Sequence, residues 1–404
     1  MFRTHPLDLH EIRSRIASSL GPKYLVSCAR VSQDWNDSFT PPLYKSVVLS
    51  KHGLSMESVE RNKHLIQRLD IHHSALEKLS SFARDKLVSS VLVNSALTTL
   101  ELRNNLIGDH EAQALSEALT VNSTLTSVNL WGNSIGDDGA QSLSEALKTN
   151  TTLTSLYLGG TGRMGSSGAQ ALSDVFRTNS SLAFLCLADS SIGDSGAKAL
   201  SKALELNSTL STLDLWGNLI GDNGVQALSE ALKTNSTLTT LNLGEIWIRD
   251  IGTQALSEAL RINSSLTSLD LSGNAVGDIG TQALSEALKT NSTLTTLHLG
   301  SESELYQYIS LIGDTGAQAL AEALKTNSTL TTLTLRGDKI GDIGAQAMSE
   351  AIKTNSSITT LRLCLNSIGD IGTQALAEAR KTNSTLTTFH CGGKLTSQNI
   401  RPRS

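Results

Sequence analysis

The sequence is poor in aromatic residues, cysteine and proline. Aromatic residues make up 4% of the 404-residue chain, which has four cysteines and five prolines. The cysteines are scattered without a CxxC pair, which excludes a disulfide framework or a cysteine zinc site and favours a reducing, intracellular compartment. No apolar run is long enough to span a bilayer, and the charged stretch Met1–Arg15 does not resemble a secretory signal. We therefore expect the protein in the cytoplasm, the nucleus or both.

A strong charge of either sign is missing as well. The net charge is −5, from 33 Lys and Arg against 38 Asp and Glu, which excludes a broad basic surface for nucleic acid. The sequence also lacks a glycine-rich phosphate loop, an H-E-x-x-H motif and a G-x-S-x-G motif. We therefore expect no enzyme activity, no cofactor and no metal site, and neither nucleic acid nor a membrane as a partner.

What the chain does contain is a repeat. The pattern L-x-x-L-x-L occurs eleven times between Leu97 and Leu386, in steps of 28 residues apart from one of 29 and one of 36. Its alternation predicts a strand with one buried face, and the A-x-x-L-x-x-x-L spacing that follows predicts an amphipathic helix. One strand and one helix cannot bury a core of their own, so the units must stack, with a parallel sheet inside and helices outside.

Polar residues and glycines at fixed positions predict how the units join. The Asn of G-N-x-I, such as Asn133, is expected to bind backbone groups where the chain leaves the strand. In I-G-D, we expect Gly to adopt an unusual φ and Asp to cap its own helix. The Asn of K-T-N, such as Asn150, is expected to end the helix in a left-handed conformation. Although N-S-T and N-T-T have the form of glycosylation sequons, we interpret this Asn as structural.

The repeat resembles the ribonuclease-inhibitor-like subfamily of leucine-rich repeats, which also occurs in Ran GTPase activators and NOD-like receptors. The resemblance implies an α/β solenoid: a right-handed horseshoe with the parallel sheet on the concave face and the helices on the convex face. It covers eleven repeats of about 28 residues over residues 97–393. Residues 51–96 are interpreted as a linker and a degenerate capping repeat, and residues 394–404 as a polar tail.

The first fifty residues have a different pattern, which resembles an F-box. Leu7–Ile12 matches the opening motif of that family, Val31–Trp35 the middle and Pro42–Tyr44 the close, although His10 stands where the family has Pro. The resemblance implies binding to a Skp-type adaptor of a cullin–RING ubiquitin ligase. The alternative is that residues 1–50 form a small helical segment that only caps the solenoid. The residues expected to bind the adaptor are Leu7, Leu9, Ile12, Ile16 and Trp35.

The strand residues that alternate with leucine point away from the core, and these positions vary most between repeats. Because Trp, Tyr and Arg are preferred interface anchors, we expect a protein partner on the concave face. The alternative for Trp131 is stacking within the chain, on Tyr157 of the next repeat. An eight-residue insertion after Gly300 adds Tyr306 and Tyr308 as loop candidates. The candidates on the concave face are Arg103, Trp131, Tyr157, Phe184, Trp216, Arg336 and Arg362.

Together these patterns predict a non-enzymatic interaction scaffold, specifically an F-box-type subunit that recognises its ligase substrate on the concave face. Two alternatives remain open. A Ran-type GTPase-activating protein would need a catalytic Arg or Asn on a strand-to-helix loop, which the sequence does not identify. An inhibitor or innate-recognition scaffold would use the same face without any link to a ligase.

Overall fold

The structure, a computed structural model of the chain, describes residues 45–49, 63–71, 96–160, 162–301 and 311–392. Several of the sequence predictions concern residues outside these ranges. They are the F-box-like residues before residue 45, most of the expected capping repeat, the insertion tyrosines and the polar tail. The predicted site residues outside the described residues are Leu7, Leu9, Ile12, Ile16, Trp35, Tyr306 and Tyr308.

Short parallel strands form one sheet, whose thirteen members in the described residues lie side by side in chain order. Each strand pairs only with its neighbours in sequence, so the sheet is open and does not close into a barrel. The strands are β1 (Ser46–Leu49), β2 (Arg68–Ile71), β3 (Thr99–Glu101), β4 (Ser127–Asn129), β5 (Ser155–Tyr157), β6 (Phe184–Cys186), β7 (Thr212–Asp214), β8 (Thr240–Asn242), β9 (Ser268–Asp270), β10 (Thr296–Gly300), β11 (Thr332–Arg336), β12 (Thr360–Cys364) and β13 (Thr388–Gly392).

An α-helix follows each strand from β3 to β12 and packs against the helix of the next repeat. This alternation confirms the predicted solenoid of parallel strands and outer helices. No helix in the described residues is long and apolar enough to cross a membrane. The helices are α1 (Asp109–Val121), α2 (Asp137–Leu147), α3 (Ser166–Phe176), α4 (Asp194–Leu204), α5 (Asp222–Leu232), α6 (Asp250–Leu260), α7 (Asp278–Leu288), α8 (Asp314–Leu324), α9 (Asp342–Thr354) and α10 (Asp370–Thr382).

The core lies between the sheet and the helices and runs without interruption through the described repeats. Leu213 and Leu215 of the β7 repeat are fully buried, and so are Leu228 and Ala231 of the helix that follows. The small alanines allow neighbouring helices to approach closely, while the leucines fill the space over the sheet. The alternation read from the sequence therefore identifies the core-facing leucines of the repeats correctly.

The Asp of I-G-D does not cap its own helix. Helix α2 begins at Asp137, and its N-cap residue Gly136 makes no side-chain cap. Instead, Oδ1 of Asp137 accepts hydrogen bonds from the amides of Gly165 and Gly168 in the next repeat, at 2.8 and 2.7 Å. The prediction was wrong because the helix starts at the Asp, whose carboxylate then faces the free amides that begin the neighbouring helix.

The glycine of I-G-D is not left-handed either. Gly136 has a φ of −102°, an extended value that other residues also adopt. From α2 onward, the third helical residue is the one that must be glycine. A β-carbon at Gly139 would stand 2.6 Å from Oδ1 of Asp109 and 2.8 Å from Cγ2 of Ile135. The close approach of adjacent repeats therefore excludes a side chain at Gly139.

The asparagines that recur in G-N-x-I join neighbouring coils. Nδ2 of Asn133 donates to the carbonyls of Leu102 and Leu130, at 2.8 and 2.7 Å, while its Oδ1 accepts from the amides of Asn105 and Ile107. This confirms the predicted role of the G-N-x-I asparagine, because one buried amide satisfies four backbone groups of two repeats.

The K-T-N asparagine is also structural, although it is not left-handed. Asn355 at the end of α9 has a φ of −74° and a ψ of 132°. Asn150, at the same position after α2, is buried and donates from Nδ2 to the carbonyl of Leu119 at 2.9 Å, while the amide of Leu153 donates to its Oδ1 at 2.9 Å. The left-handed prediction was wrong, since an extended residue aims this amide at the preceding repeat.

Candidate functional site

The exposed side of the sheet presents the residues that differ most between repeats. We define the inner face as the strand residues that alternate with the buried leucines, together with the two residues that follow the last leucine of each L-x-x-L-x-L pattern. Strand pairing places the middle position of each repeat in a single row across the sheet, as expected from the repeat length. That row is Glu101, Asn129, Tyr157, Cys186, Asp214, Asn242, Asp270, His298, Thr334, Arg362 and His390.

The residues just before the strands form a second row, and their side chains bond within the fold. The first Thr of L-T-T-L donates from its hydroxyl to the carbonyl of the equivalent residue in the preceding repeat, for example from Thr239 to Ser211 at 3.0 Å. The same bond runs from Thr267 to Thr239 at 3.0 Å. These hydroxyls therefore hold adjacent coils together.

The inner face is concave and forms an open cavity of about 720 Å³. Its lining includes Trp131, two residues after the end of β4, and Arg362 on β12. Eight intervals between parallel strands would span about 38 Å in a flat sheet, so the sheet must curve to bring both residues to one cavity. Helices pack about 8–10 Å apart and strands about 4.8 Å, which forces this curvature with the sheet inside. The lining residues are Trp131, Ala188, Asp214, Trp216, Asn242, Glu245, Asp270, Ser272, His298 and Arg362.

Aromatic residues occupy the part of the inner face formed by β4, β5, β6 and the residues just after β4. The rings of Tyr157 and Phe184 form a tilted pair with centroids 4.5 Å apart. Burial, followed by the charges of Cys186 and Glu101, raises the pKa of Tyr157. The ring partner of Tyr157 on this face is therefore Phe184 of the following repeat.

Each of the two tryptophans of the inner face lies over glycine in the next repeat. A β-carbon at Gly159 would stand 2.6 Å from Cζ3 of Trp131, and one at Gly160 would stand 2.8 Å from Cε2 of the same ring. A β-carbon at Gly244 would likewise stand 2.7 Å from Cδ1 of Trp216. Both rings are half-buried. They rest on the backbone of the adjacent repeat and leave their other side open to the cavity.

Carboxylates occupy the middle of the inner face. Burial, followed by the charge of Asp214, raises the pKa of Asp189. Burial also raises the pKa of Asp214, and the charge of Asp270 adds to this shift. The pKa of Glu245 is raised by burial and then by the charges of Asp189 and Asp270. We call Asp189, Asp214, Glu245 and Asp270 the acidic zone. Asp214, Glu245 and Asp270 line the cavity, and Asp189 lies beside it.

The acidic zone adjoins a buried thiol. Cys186 is 4% exposed, and its sulfur lies 3.6 Å from Oδ2 of Asp214. Burial, together with the charge of Asp214, raises the pKa of Cys186 to about 12. The thiolate that nucleophilic chemistry requires is therefore scarce at neutral pH.

Basic residues follow on the strands after the acidic zone. Nδ1 of His298 on β10 lies 3.0 Å from the hydroxyl of Thr334. Arg336 on β11 and Arg362 on β12 are half-buried, and His390 on β13 is exposed. Along the sheet, the inner face thus changes from aromatic to acidic to basic.

The structure separates the seven residues proposed for the concave face into two groups. Trp131, Trp216 and Arg362 line the cavity together. The other four lie on or directly after strands of the same sheet but are not among the residues that line the cavity. They are Arg103, Tyr157, Phe184 and Arg336.

Sequence reasoning missed the acidic zone and one tryptophan. Asp189 and Glu245 have left-handed φ values of 51° and 49°, at a position that glycine occupies in several other repeats, for example as Gly132 and Gly217. That exchange of glycine for an acidic residue is visible in the aligned repeats and could have drawn attention to both. Trp247, in the strand-to-helix loop after β8, is 64% exposed, which makes it more accessible than either tryptophan of the inner face.

Parts of the chain match a known repeat family, and its fold is similar to that of a solved structure. No curated protein matches the sequence. The chain is similar to the crystal structure of an internalin (InlF) from Listeria monocytogenes at 18% identity, over 96% of both chains, with a TM-score of 0.50, which bears on the fold alone. A likeness to leiomodin-1 actin-binding site 2, at 19% identity over 46% of this chain and 88% of that one, has a TM-score of 0.29 and supports no inference. The family described as Leucine Rich repeat matches residues 121–144, 149–173, 206–229, 263–285, 326–349 and 354–377.

Proposed function

Because the chain contains leucine-rich repeats folded as an open α/β solenoid, we propose that it is a non-enzymatic scaffold that binds a protein on its inner face. The residues that the repeats share are used for stacking. Their leucines fill the core, and their asparagines, aspartates and first threonines bond to adjacent coils. The inner face is where the repeats differ, so it is the surface able to distinguish one partner from another.

The observation that supports this proposal most directly is the pair of tryptophans in the cavity. Trp131 and Trp216 are half-buried on the backbone of the next repeat, and both line the concave side. Large rings held rigidly in a concave site contribute strongly to binding energy, because little side-chain entropy is lost when a partner covers them. A curved sheet also offers a folded partner more contact area than a flat one.

The experiment compares capture of proteins from a cell extract by the full chain and by two variants. The double variant Trp131→Ser/Trp216→Ser should lose the proteins that the wild type captures. Trp247→Ser, which removes an exposed ring outside the inner face, should retain them. Loss with Trp247→Ser alone would place the binding site on the strand-to-helix loops and contradict the proposal.

We also propose, on the resemblance of residues 1–50 to an F-box, that the chain links its partner to a cullin–RING ubiquitin ligase through a Skp-type adaptor. Such a role would place the protein in the cytoplasm or the nucleus. The full chain should copurify with the adaptor, and a chain lacking residues 1–50 should not. Equal adaptor recovery with both chains, or none with either at micromolar concentration, would reject this link and leave the inner-face proposal unaffected.

A further inference from the structure

The fold does not require the charges of Asp214 and Asp270. Oδ1 of Asp214 accepts from the amide of Trp216 at 3.1 Å, and Oδ1 of Asp270 from the amide of Ser272 at 2.8 Å. Asparagine makes the same bond in two other repeats. Asn129 accepts from the amide of Trp131 at 3.0 Å, and Asn242 from the amide of Gly244 at 3.0 Å. A neutral side-chain amide can therefore accept this hydrogen bond, so the negative charge is not needed for it.

The fold does not require the side chains of Asp189 and Glu245 either. Both residues adopt a left-handed backbone conformation, which is energetically unfavourable for a residue with a β-carbon. In the repeats that follow them, glycine stands at the same position, as Gly217 and Gly273, with φ values of 68° and 69°. Glycine adopts this conformation freely, so these two repeats hold acidic side chains at a conformational cost.

The acidic zone takes part in no ion pair among the described residues. Across the same residues, no group of three or more His, Cys, Asp or Glu residues is placed to hold a metal ion. The carboxylates are therefore spread over the inner face rather than converged on one point, which fits several organic cations better than a single metal ion.

The two tryptophans of the inner face add aromatic surface beside these carboxylates. Trp131 and Trp216 line the cavity with Asp214, Glu245 and Asp270. Lys and Arg place their aliphatic stems against aromatic rings and their charged heads against carboxylates or ring faces. A cavity of about 720 Å³ has room for more than one such side chain. Carboxylates beside open indole rings thus match a basic protein segment in both charge and shape.

We propose that the protein partner inserts lysine or arginine side chains into the cavity of the inner face, between the tryptophan rings and the acidic zone. This inference rests on the proposed function and adds the chemistry of the partner to it. The basic segment lies over β7 to β9, where Asp214, Glu245 and Asp270 line the cavity. The carboxylates then contribute binding energy to the complex that they do not contribute to the fold.

The test uses the full chain and two blocked peptides, one of alternating lysine and glycine and one in which every lysine is acetylated. Calorimetry should show binding of the lysine peptide, weakened by added salt, and no measurable binding of the acetylated one. The double variant Asp214→Asn/Asp270→Asn should weaken lysine-peptide binding about tenfold or more. Each charge pair that is lost in a partly desolvated site reduces the binding free energy. Asn is already accommodated at this position, so the variant should fold normally.

A matched control changes the net charge equally but on the outer helices. Glu258→Gln/Glu286→Gln removes two exposed carboxylates and should leave lysine-peptide binding unchanged. Equal weakening by both double variants would overturn the inference, because it would reduce the effect to net charge. Capture that is lost with Trp131→Ser/Trp216→Ser but unchanged with Asp214→Asn/Asp270→Asn would also overturn it, while leaving the proposed function intact.

Discussion

Asp109 in one repeat accepts a hydrogen bond from the amide of Gly136 in the next, with 2.7 Å between Oδ1 and N. The same oxygen accepts from the amide of Gly139 at 3.0 Å. Equivalent bonds join later helices, for example from Asp194 to Gly221 at 2.7 Å. A carboxylate of one coil therefore caps the helix of the following coil, which couples the stability of each repeat to that of its neighbour.

The first prediction concerns the junction where this cap is weakest. Helix α3 begins with Ser166, whose hydroxyl accepts from the amide of Gly193 at 3.3 Å. Ser166→Asp should supply a charged acceptor for the start of α4 and raise the free energy of unfolding by about 0.5–1 kcal/mol. Urea unfolding monitored by circular dichroism measures the change. Ser167→Asp adds the same charge at an exposed position and should have a smaller effect; equal effects would show that only the helix dipole matters.

The second prediction removes one of these caps. Oδ1 of Asp222 accepts from the amides of Arg249 and Gly252, at 2.8 and 3.0 Å. Asp222→Ala should lower the free energy of unfolding by about 1–2 kcal/mol, because two amides at the start of α6 lose their acceptor. Denaturant unfolding of this variant is compared with that of Asn223→Ala at the adjacent exposed position, which should be nearly neutral. A neutral result for Asp222→Ala would contradict the capping role.

The third prediction concerns pH. Burial, with the charge of Asp270, raises the pKa of Asp214 in the folded protein above its unfolded value. Ionised Asp214 therefore destabilises the fold at neutral pH, and this penalty is relieved as the pH falls through the raised pKa. Asp214→Asn should increase the free energy of unfolding at pH 7, and the difference from wild type should shrink in acid. Urea unfolding over a pH series tests this; destabilisation by Asp214→Asn at pH 7 would instead show that the charge supports the fold.

The fourth prediction separates the inner face from the core. Leu213→Ala removes a fully buried side chain and should lower the free energy of unfolding by about 2–5 kcal/mol. Trp216→Ser should lower the free energy of unfolding by only about 1 kcal/mol, because the ring is half-buried and lies over Gly244, which offers it no side chain to pack against. Thermal and urea unfolding compare the two. Similar losses for both variants would show that Trp216 is mainly structural.

The rows of the inner face were predictable from the sequence because each strand–helix unit forms one coil. With the repeat length nearly constant, Asp214 must pair with Asn242 once Leu213 pairs with Leu241, as the structure shows. The insertion after Gly300 does not shift the register, since Leu297 pairs with Leu333 across it. Extra residues in the loop leave the alignment of the leucines unchanged, because the buried leucines determine it.

The caps were mispredicted for a related reason. Sequence spacing places Asp137 at the start of its own helix, and a local interpretation assigns it to that helix. Which amides its carboxylate reaches depends on the distance to the neighbouring helix, which small residues such as Ala140 and Gly168 allow to be short. A contact between residues about one repeat apart cannot be read from the pattern of a single repeat.

By itself, the sequence determined the architecture. A period of 28 residues, with alternating leucines followed by an amphipathic helix, leaves stacking as the only way to bury the apolar surface. Only the tertiary structure decided which side chains meet across the sheet. The different widths of helices and strands curve the stack and bring Trp131, three carboxylates of the acidic zone and Arg362 to one cavity. That convergence depends on the curvature summed over many repeats, which the residues of any one repeat do not encode.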